Sequence, residues 1–569
     1  MSLGDGLVMR VAEEGPQTVN TRLHCCLSLF PFFAWSALTC AAPVSFDWFE
    51  YTGHDAVFEQ TLPAGSYRNP ILAGFHPDPS ITRAGNKFYL VNSSFTYFPG
   101  IPVFESADLV HWRQIGNVID RPGELSFAGL RVSRGVFAPD IEFHDGTFYV
   151  LNTAVDSGGN FLATARNPAG PWSDPVWLPQ IDGIDPSLFF DGEQAYILNN
   201  GPPEGKPLYD GHRAIWIQQF DVAAAKPIGP RKVLVNGGVD IAKQPIWIEG
   251  PHLYKREGWY YLMCAEGGTG PNHSQVILRS RSPWGPFVAF AGNPILTQRD
   301  LAPGRADPIT NAGHADLVEA PDGSWWATFL ATRTYGGTHY NTGRETFLLP
   351  VTWQDGWPII LKHATSIAYV VPGPKFMSKG TQAPLSGNFT WRDDFDSASL
   401  NPAWLQVRVP DRPWIDLQAK AGSLTIHPLP AALDTLGNPS FLARRQQHIS
   451  FDASTALDLP PEGIAAGIAA FQSEGYWYFL GARRNGGAIQ LFLQTRNGGD
   501  VTTVATASVA SGQRLKLRIS GAAKLYSFAY SIDDRDWQFL IRDVDGTILS
   551  TDVAGGFVGA VIGPYARIE

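Results

Sequence analysis

The chain has 569 residues, enough for more than one domain. Only 17% of them are charged, while 12% are aromatic (18 Trp among them), with 58 Gly and 44 Pro; this texture suits short strands joined by turns and argues against a helical protein. The net charge of -10 argues against a nucleic-acid partner, and abundant aromatics suit a neutral, flat-faced ligand such as a sugar.

The first twenty residues are polar and unpatterned. Arg22 and an apolar stretch over 23–38 follow, then the small residues Thr39, Cys40, Ala41 and Ala42. This predicts a leader over 1–42 of the secretory type, and with it a secreted or periplasmic protein. The stretch is too short for a membrane span. Three of the four cysteines (Cys25, Cys26, Cys40) fall in that leader. Cys264 is then left without a disulfide partner, in the apolar run Tyr260–Cys264, where it reads as core. No Cys/His set has zinc spacing.

Past the leader the sequence falls into repeated modules. Each has a polar or acidic residue at a strand start, a Gly-containing turn and an aromatic-rich strand. The module starts are Asp78-Pro79-Ser80-Ile81, Ala138-Pro139-Asp140-Ile141, Asp185-Pro186-Ser187-Leu188, Glu249-Gly250-Pro251-His252 and Gly313-His314-Ala315-Asp316. Two strands around an Asp-Gly-like turn are a strong hairpin signal. The irregular period suits four-stranded blades with variable loops. Five such units arranged radially predict an all-β, five-bladed β-propeller over 67–362. The innermost strands then start at one axis, which brings Asp78, Asp185, Glu249 and His314 to one funnel. Asp78 lies between Pro77 and Pro79, which predicts a stiff, extended strand entrance. Asp140 and Asp316 share the strand-start position and read as structural. Asn272 and His273, on a Gly-rich loop, are placed to line the funnel.

Residues 363–390 read as a linker rich in Pro, Gly and Ser. From 391 to 569, runs such as Leu424–His427, Tyr476–Leu480, Ile489–Leu493 and Leu515–Ile519 alternate with strand period between glycine turns. They predict a β-sandwich of the concanavalin A-like or jelly-roll kind.

Three carboxylates and a histidine around an aromatic funnel, without a nucleophile or metal motif, point to general acid–base chemistry. Glycoside hydrolysis needs one carboxylic acid to protonate the leaving oxygen and a carboxylate on the opposite side. A third carboxylate raises a neighbour's pKa and keeps the acid protonated. Glu249 has the reach of an acid, Asp78 is placed as a base, and Asp185 tunes and orients.

The motifs around Asn69-Pro70 through Asp78-Pro79-Ser80-Ile81, Ile184–Phe189, Glu249–Tyr254 and Gly343-Arg344-Glu345-Thr346, in that order and spacing, resemble the family-43 glycoside hydrolases, the β-xylosidase and α-L-arabinofuranosidase group. The resemblance runs from about Tyr67 to Pro358, and the C-terminal part is similar to the β-sandwich appended in many β-xylosidases of that family. It implies an inverting, exo-acting enzyme of hemicellulose breakdown with Asp78 as general base, Glu249 as general acid and Asp185 as pKa modulator. It further implies that His314 lies at the funnel floor, that Arg344 contacts the sugar or the acid, and that Phe95 packs near the sugar. Phe137 stands where many members have Trp, which bears on the stacking surface and substrate preference. The implied partner is an oligosaccharide; no cofactor is required, and a structural or axial Ca2+ near His314 is compatible with the pattern. Two other readings remain at this point: a non-catalytic sugar-binding propeller with a lectin-like sandwich, and a retaining fructan-type furanosidase. Xylose against arabinose, and the oligomeric state, are not legible.

Overall fold

The computed structural model describes residues 41–380, 383–509 and 514–569. The expected leader falls almost wholly on residues 1–40, outside the described residues. No helix among the described residues is long and apolar enough to cross a membrane.

The expected propeller is present. Its blades are antiparallel sheets whose innermost strands are Ser80–Ala84, Asp140–His144, Ile184–Asp191, Glu249–Arg256 and Ile309–Glu319. Among the described residues no strand is exchanged between the last blade and the first. The ring is instead stapled near its axis by side chains. Asp316 of blade five accepts hydrogen bonds from the Ser80 hydroxyl and the Ile81 N–H of blade one, both at 2.8 Å. Ser80 in turn accepts from Ile141 N–H of blade two, and Asp140 accepts from Leu188 N–H of blade three. Ser187 donates to the carbonyl of Pro251 in blade four. The reading of Asp140 and Asp316 as structural therefore has a physical basis: each satisfies a backbone N–H where two inner strands meet.

The sandwich consists of two eight-stranded sheets, and both borrow strands from outside 391–569. Val44–Gly53, ahead of the propeller in sequence, lies between Leu424–Ile426 and Ser450–Asp458. Val44 and Phe46, and after a bulge between Phe46 and Trp48 also Phe49 and Tyr51, are buried in the sandwich core, the alternation of a half-buried strand with its phase shifted once. Tyr97–Phe98, on a loop of blade one, pairs with Leu405–Val407 at the edge of the other sheet. Ser66–Arg68 pairs with Val370–Pro372, so the linker segment also carries a strand. One apolar cluster joins Phe75, Phe95, Tyr97 and Val132 of the propeller to Val407, Phe441, Phe479 and Val558 of the sandwich. This shared core fixes the sandwich against the face of the propeller where the inner strands begin.

Candidate active site

Asp78, Asp185, Glu249 and His314 line one cavity of about 370 Å³, together with Phe95, Phe137 and Arg344. These seven residues, expected at the sugar site, thus meet in one place, whereas Asn272 and His273 are not among the residues lining it. The seven get there through irregular backbone at the start of the inner strands. Asp78, Asp185 and His314 have φ of 53°, 53° and 50°, in the left-handed region. The inner strands of blades three, four and five shift register between Ile184 and Ser187, Glu249 and His252, and Gly313 and Asp316. Bulges of this kind re-aim side chains. The expected extended conformation at Asp78 is therefore corrected. A following proline disfavours the right-handed helical region, but Asp tolerates positive φ when its side chain is anchored. In blade four the positive φ falls on Gly250 instead, at 54°, and the carboxylate moves to the preceding residue. A Cβ at Gly250 would lie 2.6 Å from His314 Nε2, so only glycine lets these two strands approach.

Asp78 is buried and fully engaged. Its Oδ2 accepts from the Ser93 hydroxyl at 2.6 Å and its Oδ1 from Arg344 Nη1 at 2.8 Å, with His314 Nδ1 at 3.6 Å. Burial alone would raise its pKa, but Arg344, His314 and the Ser93 hydroxyl together hold it below the usual carboxylate value. Glu249 is the opposite case. It is half-buried, and burial, then the charges of Asp185 and Asp78, push its carboxyl well above the usual range against the weaker pull of Arg344 and Arg213. Asp185 accepts from Gly250 N–H at 3.1 Å. Burial raises its pKa, His314 opposes that rise, and Asp78 adds to it. Its bond to Gly250 ties it to the peptide next to Glu249.

Arg344 also reaches Thr269 Oγ1 at 3.3 Å and the Phe557 carbonyl at 3.3 Å. The backbone before it packs hard against the sandwich: a Cβ at Gly343 would lie 2.8 Å from Gly559 Cα. Phe95 and Phe557 stack at 6.1 Å and 15°, and Phe137 stands edge-on to both at 5.7 Å. The three rings form an apolar patch in the cavity that the carboxylates line, suited to the C–H face of a sugar.

Sequence reasoning missed Phe557, Trp247, Arg134 and Thr269, which also line the cavity. Trp247 had a signal in its place two residues before Glu249, at the entrance of the strand, where its φ of 51° turns the chain. Phe557 had none; it comes from a sandwich loop held by Ser133 and Gln472. His273 does not line the cavity. It is buried behind His314, with Nδ1 2.9 Å from the Asn311 carbonyl, and burial pushes its pKa down to about 4.

Comparison with known proteins agrees with this geometry. Residues 67–358 match the model of glycosyl hydrolases family 43, and residues 392–568 match the β-xylosidase C-terminal concanavalin A-like domain. The chain is 38% identical to a xylosidase/arabinosidase of Butyrivibrio fibrisolvens over 510 residues, covering 88% of this chain and 95% of that one. It is 36% identical to a non-reducing end alpha-L-arabinofuranosidase of Bacteroides ovatus, covering 89% of this chain and 92% of that one. Among solved structures, a GH43_12 protein from a capybara gut metagenome superposes with a TM-score of 0.87 at 39% identity, covering 92% of this chain and 99% of that one. Two domain matches, near-full-length relatives and one carboxylate-lined cavity agree: the chain belongs to glycosyl hydrolase family 43 and is a glycosidase.

Proposed function

We propose that this glycosidase removes single xylose or arabinofuranose units from the ends of hemicellulose fragments, with inversion at the anomeric carbon. The observation that carries the reading is the opposite electrostatics of two carboxyls on one cavity. Asp78 is held ionised by Arg344 and Ser93, while Glu249 is held protonated by burial and by Asp185 and Asp78. In the proposed mechanism Glu249 protonates the leaving glycosidic oxygen. Asp78 takes a proton from a water that attacks the anomeric carbon from the other face. Asp185 keeps Glu249 protonated through its charge and orients it through Gly250. Arg344 keeps Asp78 ionised and fixes its carboxylate plane. Exo action is supported by the aromatic cluster of Phe95, Phe137 and Phe557, which packs on one side of the cavity with a ring supplied by the sandwich. The xylosidase/arabinosidase and arabinofuranosidase names of the relatives support the pentose assignment.

A screen of aryl β-xylosides and aryl α-L-arabinofuranosides tests it. Turnover of at least one is expected, falling by roughly three orders of magnitude or more in Asp78→Ala and Glu249→Ala, with unchanged circular dichroism. Near-normal turnover in either variant would remove its assigned role. Export through the segment 1–42 is proposed on its composition, and sequencing the N-terminus of the protein recovered outside the cytoplasm checks it.

A further inference from the structure

A second cavity, of about 300 Å³, lies where three parts of the chain meet, and none of the residues lining the sugar cavity takes part in it. His76 lines it from the entrance of blade one, Leu385 from the 363–390 segment, and Trp391, Arg444 and Arg445 from the sandwich. The two arginines are neighbours at the end of the strand Leu442–Arg445 and are only 2% and 5% exposed.

Their charge is not balanced. Arg444 Nη2 donates to Gln447 Oε1 and Arg445 Nε to the Phe75 carbonyl at 2.7 Å, both uncharged acceptors. Arg444 Nε and Nη1 and Arg445 Nη2 are buried without an acceptor. Trp391 and Tyr51 lie over the Arg444 guanidinium at 4.3 Å and 4.8 Å, and Phe75 over that of Arg445 at 4.7 Å. Ring faces temper a cation's charge but do not accept its in-plane N–H groups. Among the described residues no carboxylate contributes to the field at either arginine. Burial pushes the two groups down to about 10 and about 9, so both remain cations at neutral pH. Burial, and then the Arg445 charge, also push His76 well below the usual histidine value. The exposed Arg113, by contrast, which also lines the cavity, is paired with Glu105 at 3.0 Å. Two adjacent buried cations with orphaned donors are strongly unfavourable unless a counter-charge completes them.

We propose that this cavity binds one small oxyanion, a carboxylate or a phosphate, through Arg444 and Arg445. Several orphaned N–H donors call for a ligand with several charged acceptor atoms, and guanidinium groups match carboxylate and phosphate oxygens. The volume leaves room for the organic body of a small acid. Through the bond of Arg445 to Phe75, three residues before Asp78, the bound anion would fasten the sandwich to the strand entrance that carries the base.

Thermal melting of the full-length protein tests this, in an amine buffer with chloride as the only other anion and constant ionic strength. Sodium phosphate, acetate and glucuronate are titrated separately. At least one should raise the melting midpoint saturably: phosphate alone assigns a phosphate site, acetate or glucuronate a carboxylate site. In a folded Arg445→Met variant the apparent affinity for that anion should fall by about tenfold or more. No saturable shift with any of the three, or an equal shift in Arg445→Met, which marks a general salt effect, would overturn the proposal. Should Arg445→Met fail to fold, wild-type crystals soaked separately in selenate and in a brominated carboxylic acid decide the matter by anomalous scattering. A peak beside the two guanidinium groups is expected from at least one soak, and its absence from both contradicts the assignment.

Discussion

At the scale of single residues, the account rests on Asp78 and Glu249 having different neighbours in one cavity. Arg344 lies 2.8 Å from Asp78 and is the strongest influence lowering its pKa against burial. Asp78 therefore stays ionised well into acid, and Glu249 stays protonated above the usual carboxylate range. The kcat/KM profile should be a bell: it falls on the acid side as Asp78 takes a proton and on the alkaline side as Glu249 loses one. Replacing Arg344 by Met removes the charge that opposes burial, so Asp78 should titrate higher. The acid limb should move up by about one pH unit or more, and kcat should drop; an unmoved acid limb contradicts the role given to Arg344. These residues were legible in the sequence because they recur at strand starts. The positive φ of Asp78 was not, because it depends on anchors at Ser93 and Arg344 that are remote in sequence. Phe557 was invisible for the same reason: its neighbours Phe95 and Phe137 lie more than four hundred residues away.

At the scale of elements, the hairpin turns and strand alternation made the blades readable, and the same alternation revealed the sandwich. Strands that pair across the domain boundary were not readable. Nothing local distinguishes Val44–Gly53, inside one sheet, or Tyr97–Phe98, at the edge of the other, as sandwich strands, because their partners are remote in sequence and chosen by the assembled surface. The 363–390 segment reads as a linker by composition, yet its described part is held at Val370–Pro372 by pairing with Ser66–Arg68 and at Ser378 by Asp108. Asp108 of blade one accepts from the Ser378 hydroxyl at 2.6 Å and the Ser378 N–H at 2.9 Å, and also bonds His111. Burial opposes its ionisation, but bonds from His111 and Ser378 bring its pKa down to about 2. A folded-state pKa below the unfolded value means the stabilisation is present above the unfolded pKa and fades as pH falls toward the folded one. Asp108→Ala should therefore cost about 2–3 kcal/mol near neutral pH, with the difference from wild type shrinking between roughly pH 4 and pH 2. Denaturant melts across that range measure it; a difference independent of pH contradicts the linkage.

At the scale of the whole molecule, propeller and sandwich are one structural unit joined through buried charge. Arg333 of blade five is fully buried. It donates to Asp55 in the N-terminal segment, to Glu345 at 2.7 Å and 2.9 Å, and to the Gln447 carbonyl of the sandwich at 2.7 Å. Removing one partner of such a network strands the others. Arg333→Met should destabilise by about 3–5 kcal/mol and loosen the sandwich from the propeller. A melt within about 1 kcal/mol of wild type would show that the network does not hold the two together. That attachment matters for function because it brings Phe557 of the sandwich into the cavity that the carboxylates line. The central claim is that Asp78 activates water opposite Glu249. It is tested most directly by time-resolved proton NMR of the first sugar released from the best aryl pentoside. The account predicts that the anomer opposite to the substrate's appears first, α-xylose from a β-xyloside, followed by mutarotation; first appearance of the retained anomer would contradict it.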